Sequence, residues 1–281
     1  MGAGRDPERD RVETAPGCTD VVRVIADNPG PMTLEGTNTY LVGGEPCLVV
    51  DPGPEEPGHL GRVRREGERR GGIGGIFLTH SHLDHSEAVG SLQAPLLWGS
   101  AEAIDEGTQL AEALGPSGIE PVARTRVAEA EPIGALTALP TPGHATEHAC
   151  FLYGDVAFCG DLLLGYGSTI VPPRAAGGSL ADYMASLDRL EATGCRLLCP
   201  GHGPWIERPF ARIAEQRAHR LEREQALRAA LGEGIADREE LLARVWADVP
   251  TVLLPAASLS LQAHLEKLAA DGLDLAGLEA D

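Results

Sequence analysis

The stretch that most restricts the fold of this chain is LTHSHLDHSEA, residues 78–88. Its central six positions hold three histidines and one aspartate, namely His80, His82, Asp84 and His85. A solvated loop gains nothing from so many imidazoles, and a packed core would have to give each ring nitrogen a partner. Because the cluster follows the apolar segment IGGIFLTH (73–80), which reads as a strand, we expect the fold to open a polar pocket at that strand's carboxyl end.

The spacing of these donors indicates more than one metal ion. His80 and His82, two apart in an extended loop, can project to the same side, whereas Asp84 and His85 lie one turn further and can reach a second point. Later apolar strands end in three more donors beside glycine, and these are His144, Asp161 and His202. Nitrogen and oxygen donors without thiolate suit zinc, and they also suit manganese or iron.

Short apolar segments between turn signals predict a β-rich core. Strands are predicted at residues 21–27, 38–44, 46–53, 73–80, 94–100, 133–144, 148–155, 156–161 and 195–203, with a hairpin turn at Gly154-Asp155. Helical patterns lie near residues 57–70, 84–92, 101–114 and 179–193, the last capped by Ser179. Hairpins mixed with crossovers favour sheets covered by helices over a doubly wound Rossmann sheet.

Three regions are expected along the chain. Residues 1–19 are polar and predict a flexible N-terminal tail, residues 20–205 predict the main domain, and residues 206–281 predict a helical C-terminal region. Helical composition runs through residues 206–231, 237–247 and 255–272. Arginine and glutamate alternate in the first of these helices, which favours a salt-bridged, solvated helix over a phosphate-binding face.

Charge and composition disfavour several classes of partner. The formal charge is −19, from 42 acidic and 23 basic residues, and residues 232–281 alone hold ten acidic and three basic ones. Binding to nucleic acid is therefore disfavoured, although not excluded. No apolar run reaches the roughly 18 residues of a membrane span, and the N-terminus lacks a secretory pattern. A cytoplasmic protein is therefore expected. Its six cysteines are expected to be reduced and structural.

The ordered set T-H-x-H-x-D-H, T-P-G-H, G-D and G-H resembles the metallo-β-lactamase superfamily over about residues 20–205. The resemblance implies an α/β fold, an αββα sandwich with a dinuclear site at one edge. It implies that one metal is held by His80, His82 and His144, that the other is held by Asp84, His85 and His202, and that Asp161 bridges both. Asp51, in VVDPG, matches a position that orients ligands. His148 and Asn38 are further candidates for orienting ligands or touching substrate, with a purely structural role equally compatible for His148.

Further stretches resemble the lactamase-like protein 2 subfamily, namely NPGPMTLEGTNTYLVGG (28–44), DYMASL (182–187), PGHGPWI (200–206) leading into HRLERE (219–224), and LQAHLEKLAADGL (261–273). Some members of that subfamily cleave single-stranded RNA, and fungal relatives release polyketides as thioesterases. Its members carry a small winged-helix-like tail, which we expect in residues 206–281. Ser81 departs from the pattern, because relatives often have a larger aromatic residue or a histidine there.

These observations predict a hydrolase with two divalent ions, zinc best suiting the donors, that uses a metal-bridging hydroxide. Asp84 is expected to orient the water or accept its proton. Asp161 stands where zinc β-lactamases tend to carry a cysteine, which favours other substrates. A small or carrier-bound acyl ester or thioester fits the acidic chain best. The alternatives are a single-stranded endoribonuclease or phosphodiesterase, an iron-dependent oxidoreductase, and a non-catalytic metal-binding module.

Overall fold

A computed structural model describes residues 11–98, 132–133, 135–275 and 277–278 of the chain. The first of its two sheets contains six strands in sequence order, which are β1 (Val12–Ala15), β2 (Cys18–Ile25), β3 (Asn38–Val42), β4 (Cys47–Val50), β5 (Ile73–Phe77) and β6 (Leu96–Trp98). Strands β1 to β4 pair antiparallel, and β5 and β6 run parallel to β4. A crossover therefore joins β4 to β5, in keeping with the predicted mixture of hairpins and crossovers.

The second sheet has the order β11-β10-β9-β8-β7. Its strands are β7 (Pro132–Ile133), β8 (Leu136–Pro140), β9 (Ala149–Tyr153), β10 (Val156–Gly160) and β11 (Leu197–Pro200). Strands β7 to β10 form an antiparallel series, and β11 pairs parallel to β10. The predicted turn at Gly154-Asp155 joins β9 to β10, and Gly154 takes the positive φ of 59° that such a tight turn requires.

Six α-helices lie in the described residues, and they are α1 (Pro57–Arg69), α2 (Leu83–Ser86), α3 (Leu180–Ala192), α4 (Pro209–Gly232), α5 (Arg238–Val245) and α6 (Leu254–Ala270). The predicted cap of α3 is confirmed, since the Ser179 hydroxyl accepts a hydrogen bond from the Asp182 amide at 3.3 Å. The helix predicted at 101–114 lies outside the described residues. Within those residues, no helix combines the length and apolarity that a bilayer span demands.

The elements stack in four layers, as the expected αββα sandwich requires. The two sheets enclose one apolar core between them, with Tyr40, Phe77, Phe151 and Phe158 among its buried residues. A second core lies between the first sheet and α1, and a third lies between the second sheet and α3 and α4. Each sheet is therefore apolar on both faces, which explains why its strands read as nearly continuous apolar runs.

Two features differ from the sequence analysis. Strand β1 lies within the segment 1–19, where a tail is expected, because Val12 pairs with Val24 at the edge of the first sheet. Helix α4 is not simply solvated. Its residues Arg212 and Arg220 are buried beneath the second sheet's loops, although other arginines of the helix form the expected ion pairs, such as Arg217 with Glu191. The alternation of charges predicts the pairs but does not reveal which arginines face the sandwich.

Strand direction brings the predicted donors together. Strands β4 and β5 run parallel, and β8, β10 and β11 share one direction in the second sheet. The loops after these five strands carry Asp51, the cluster that begins at His80, and then His144, Asp161 and His202. The carboxyl ends of parallel strands meet at one edge, so residues distant in sequence become neighbours there.

Candidate metal centre

The structure gathers all seven predicted donors into two adjacent groups. The first group contains His80, His82, His144 and Asp161, and the second contains Asp84, His85 and His202. Within each group, one donor atom from every residue lies within 4.8 Å of the others. The division matches the one implied by the resemblance, and each group has enough donors to hold one divalent ion.

In the first group, three imidazole nitrogens converge. His82 Nδ1 lies 2.9 Å from His80 Nε2 and 3.1 Å from His144 Nε2. Two nitrogens that share a zinc ion at about 2.0–2.1 Å in tetrahedral geometry are about 3.3 Å apart. The three nitrogens are therefore spaced nearly as ligands of one ion.

The second group has similar spacing. His202 Nε2 lies 3.3 Å from both His85 Nε2 and Asp84 Oδ2, and His85 Nε2 lies 3.5 Å from Asp84 Oδ2. His85 and His202 are buried, whereas the Asp84 side chain is 30% exposed. The Asp84 carboxylate is thus the member of this group that solvent or substrate can reach.

Asp161 lies between the two groups. Its Oδ1 is 3.6 Å from His85 Nε2, and its Oδ2 is 3.8 Å from His144 Nε2 and 3.4 Å from His202 Nε2. Oδ1 is buried and has no hydrogen-bond partner in the described part of the chain. An unpaired buried carboxylate oxygen is costly, so this atom fits a cation shared between the groups.

The ring nitrogens that face away from the cluster are mostly held by other groups. His85 Nδ1 donates to Asp51 Oδ2 at 2.9 Å, and His144 Nδ1 donates to the Ile170 carbonyl at 2.7 Å. His80 Nδ1 lies 2.9 Å from the Thr79 hydroxyl. These contacts fix each ring with Nε2 directed at the cluster, which is how proteins orient metal-binding histidines.

Asp51 contacts the candidate donor His85, and Asn38 and His148 lie beside the loops that carry other candidate donors. The Asn38 amide donates to the carbonyls of Pro200 and Gly203, at 2.9 Å each, on both sides of His202. His148 Nδ1 lies 2.9 Å from the Thr141 hydroxyl, and its ring centre is 5.4 Å from that of His80. Both residues are buried.

Two glycines let the backbone approach the donors closely. A Cβ at Gly201 would lie 2.3 Å from Asp161 Oδ1 and 2.6 Å from His85 Cε1. Gly160 has a φ of +45°, and a Cβ there would lie 2.5 Å from the Thr79 hydroxyl. Any side chain at either position would displace a donor or the group that orients it, which explains the glycines next to Asp161 and His202.

Burial and carboxylates set the protonation of the donors in opposite directions. Burial lowers the pKa of His80 and His144. Burial also opposes the charged forms of His85 and His202, but nearby carboxylates outweigh it, chiefly Asp84 for His85 and Asp161 for His202, and raise their pKa to about 9 and about 10. Protons thus occupy the second group at neutral pH, and a cation that binds there releases them.

Sequence reasoning missed two contacts that hold the histidine loop. The Ser81 amide and hydroxyl both donate to Glu147 Oε1, at 3.1 and 2.7 Å, and this ties the loop of His80 to the loop of His144. The Thr37 hydroxyl donates to Asp84 Oδ2 at 3.1 Å. Separations of 66 and 47 positions leave no local signal for either pair.

A cavity of about 380 Å³ opens beside the first group, and His144 and Asp161 form part of its wall. Its other walls come from Met32, from the segment 164–170, from helices α4 and α6, and from the segment between α5 and α6, which includes Trp246 and Leu253. Two arginines of the lining are neutralised, because Arg212 pairs with Glu215 at 3.0 Å and Arg223 pairs with Asp248 at 2.7 Å. The accessible surface of the cavity is mainly apolar, and its paired arginines do not form the open basic groove that a nucleic acid would need.

Comparison with known families agrees with the fold and the donor pattern. Residues 32–202 match the metallo-beta-lactamase superfamily, and residues 238–273 match the beta-lactamase associated winged helix domain. The first match contains all seven donors. The second covers α5 and α6, so the expected winged-helix-like C-terminal region is confirmed.

Individual relatives match nearly the full length of the chain. A protein named beta-lactamase-like protein 2 homolog, from Drosophila melanogaster, is 31% identical over 277 residues, covering 90% of this chain and 89% of its own length. A protein named atrochrysone carboxyl ACP thioesterase, from Aspergillus fumigatus, is 32% identical over 253 residues, covering 82% of this chain and 74% of its own. The crystal structure of a metallo-beta-lactamase family protein from Thermus thermophilus superposes with a TM-score of 0.70 at 26% identity, covering 90% of this chain and 94% of its own. The chain therefore belongs to the metallo-beta-lactamase superfamily and is a metal-dependent hydrolase of that fold.

Proposed function

We propose that this chain hydrolyses a thioester or ester of a small or carrier-bound acyl group at a dinuclear metal centre. One observation carries the proposal, namely that the first donor group borders a mainly apolar cavity, with Asp161 lying between this group and the second. The donors suit two divalent ions. An apolar cavity suits the acyl part of a substrate whose carbonyl reaches the donors.

The donor set favours zinc, with manganese or iron also compatible. Five imidazoles and two carboxylates supply nitrogen and oxygen, and no cysteine is among the seven donors. When bound, two such ions supply Lewis acidity and lower the pKa of a water molecule towards neutrality. His80, His82 and His144 would hold one ion, Asp84, His85 and His202 the other, and Asp161 both.

Asp84 is the candidate proton acceptor. Burial opposes ionisation of its carboxyl group, but His85 and His202 outweigh that effect and hold its pKa well below the ordinary value. The carboxylate is therefore ionised at neutral pH, and the Thr37 hydroxyl orients one of its oxygens. Water oxygen attacks the carbonyl carbon, the carbon–sulfur or carbon–oxygen bond breaks, and Asp84 passes the water proton to the leaving group. The products are a carboxylic acid, ionised at neutral pH, and a thiol or alcohol.

Two observations favour an acyl substrate over RNA. The relative named as an acyl-carrier thioesterase matches 82% of this chain. The formal charge of −19, with 42 acidic residues, opposes the approach of a polyanion. The first supports an acyl thioester as substrate, and the second opposes a polyanionic one.

The test is metal analysis of protein purified without chelators, combined with assays of a thioester, a lactone, an activated phosphodiester and single-stranded RNA. We expect about two divalent ions per chain and turnover of the thioester. His82→Ala should reduce turnover at least 100-fold, because it removes a nitrogen that faces two other donors. His82 is exposed, so its loss should not cost core packing.

Leu83→Ala is the matched control, since Leu83 is the next residue, is 68% exposed and offers no donor atom. It should retain activity. Cleavage of RNA alone would reject the acyl substrate, and iron with oxygen uptake would indicate an oxidoreductase. Bound metal without turnover of any substrate would indicate a binding module.

A further inference from the structure

We propose that the helical C-terminal region selects the acyl group of the substrate, by forming the far wall of the cavity that begins at the metal centre. This inference rests on the proposed hydrolase function and assigns substrate selection to residues outside the donor cluster. The acyl group it assigns is a medium-length or ring-containing apolar one, rather than an acetyl group.

The cavity extends from the candidate donors to the helical region. His144 and Asp161 line one part of it, and Trp246, Val249, Leu253 and Ala256 line another. The latter four come from α6 and from the loop between α5 and α6. A substrate carbonyl at the donors therefore directs its acyl chain along a wall that the helical region supplies.

The arginines that line the cavity are engaged with other groups of the protein. Arg212 and Arg223 are paired with carboxylates, and Arg223 also lies over the Trp246 ring at 5.7 Å. Arg220 donates to the Thr169 carbonyl and lies over the Tyr183 ring at 5.2 Å, so it is engaged with the sandwich. These guanidinium groups hold the helices in place, and they leave apolar surface to contact the substrate.

The size of the cavity suits an acyl group longer than acetyl. A volume of about 380 Å³ corresponds to about a dozen non-hydrogen atoms, at roughly 30 Å³ for each water-sized unit. An acetyl group would leave most of it unfilled. Each additional methylene buried there should raise kcat/KM by about fourfold until the cavity is full.

The test compares acetyl, hexanoyl and decanoyl thioesters of N-acetylcysteamine on metal-loaded, full-length protein. In the wild type, we expect kcat/KM to rise with acyl length. Ala256 is half-buried in the cavity wall, so Ala256→Trp should fill part of the cavity and lower the decanoyl-to-acetyl ratio of kcat/KM at least 30-fold. The matched control is Ser258→Trp, which places the same bulk on an exposed position of the same helix outside the lining. Its ratio should equal that of the wild type.

A second variant should change the acyl preference in the opposite direction, which a misfolded protein would not do. Leu253 is half-buried in the cavity wall, so Leu253→Ala enlarges the cavity and should shift the preferred acyl length upwards. An added dodecanoyl thioester would measure this shift. A decanoyl-to-acetyl ratio that stays the same in Ala256→Trp and Ser258→Trp, together with an unshifted optimum in Leu253→Ala, would overturn the inference.

A binding measurement separates this inference from the proposed function. The probe is the decanoyl amide in which nitrogen replaces the thioester sulfur, titrated by calorimetry. It should bind the wild type and Ser258→Trp alike and bind Ala256→Trp at least tenfold more weakly. If no thioester is hydrolysed but this pattern holds, only the hydrolase proposal fails. If the amide binds all three proteins equally, the acyl-selecting wall is rejected.

Discussion

The Asp51 carboxylate and the His85 imidazole form a buried pair, with Oδ2 2.9 Å from Nδ1. Asp51 also accepts hydrogen bonds from the amide and the hydroxyl of Thr79, at 2.7 Å each. Asp51 has a φ of +51°, a conformation that residues other than glycine rarely adopt. One carboxylate thus fixes both the strand end before His80 and the ring of a donor in the second group.

Asp51→Asn should weaken metal binding by about 10- to 100-fold, the usual cost of losing an outer partner of a metal-binding histidine. The amide keeps the size of the side chain but cannot match the anionic acceptor that faces His85 Nδ1. Competition with a chelating indicator would measure the affinity. Asp155→Asn, on an exposed aspartate paired with Arg196, serves as control. If Asp51→Asn binds metal as tightly as Asp155→Asn does, Asp51 has no role in holding the His85 ring.

Glu147→Ala should reduce metal affinity by about three- to tenfold. The change removes the acceptor of two hydrogen bonds from Ser81, and net losses of about 1 kcal/mol are typical of such bonds at half-buried sites. Glu147→Gln keeps an acceptor oxygen and should restore most of the affinity, as a calorimetric zinc titration would show. If alanine and glutamine variants behave alike, the link between the two loops does not position ligands.

The helical region should lose stability in mild acid because of His264. Burial, reinforced by nearby cations such as Arg220 and Lys267, lowers its pKa to about 3 in the folded chain. The unfolded chain, with a pKa near 6.5, therefore binds the extra proton first, so this contribution to stability is complete above about pH 6.5 and declines towards pH 3. Between pH 7 and pH 5, the free energy of unfolding should fall by about 2 kcal/mol from this group alone.

Urea unfolding of His264→Leu at the two pH values isolates that contribution. Both ring nitrogens of His264 lack hydrogen-bond partners among the described residues, so leucine removes no such bond. The variant should lose about 2 kcal/mol less than the wild type over the same interval. Identical losses in the two proteins would mean that His264 is protonated in the folded state.

Removal of metal should destabilise the whole chain. Ligand that binds only the folded state stabilises it by about 4 kcal/mol at a thousand times its Kd, which corresponds to roughly 10 °C in Tm for a domain of this size. Calorimetric scans with and without a chelator would measure the shift. In His82→Ala, the chelator should lower Tm by much less, because this variant has lost one of the four donors of the first group.

The sequence predicts the fold and the gathering of the seven candidate donors because both leave local signals. A donor beside glycine at a strand end, such as His144 or Asp161, is visible without coordinates, and the family resemblance that the ordered pattern carries implies the αββα sandwich. The direction of β4, β5, β8, β10 and β11 then suffices to bring the ends together.

Contacts between distant segments could not be predicted in this way. Glu147 has no feature that distinguishes it from a solvated glutamate until its loop lies against Ser81. The same holds for Arg212 and Arg220, which share a helix with exposed arginines but turn towards the sandwich. Burial of a long polar side chain depends on which face of the helix meets a neighbour, and charge alternation does not specify that face.

The arginines of α4 also determine how the molecule can be divided. Arg212 donates to the carbonyls of Leu164 and Gly167, and Arg220 donates to that of Thr169, so α4 clasps the segment whose next residue, Ile170, holds the ring of His144. The sandwich therefore depends on α4, a helix that lies between the two family matches at residues 32–202 and 238–273. A truncation before residue 209 would remove both arginines and leave the segment that positions His144 without these hydrogen bonds, and a chimera would keep them only if its new helix reproduced both arginines.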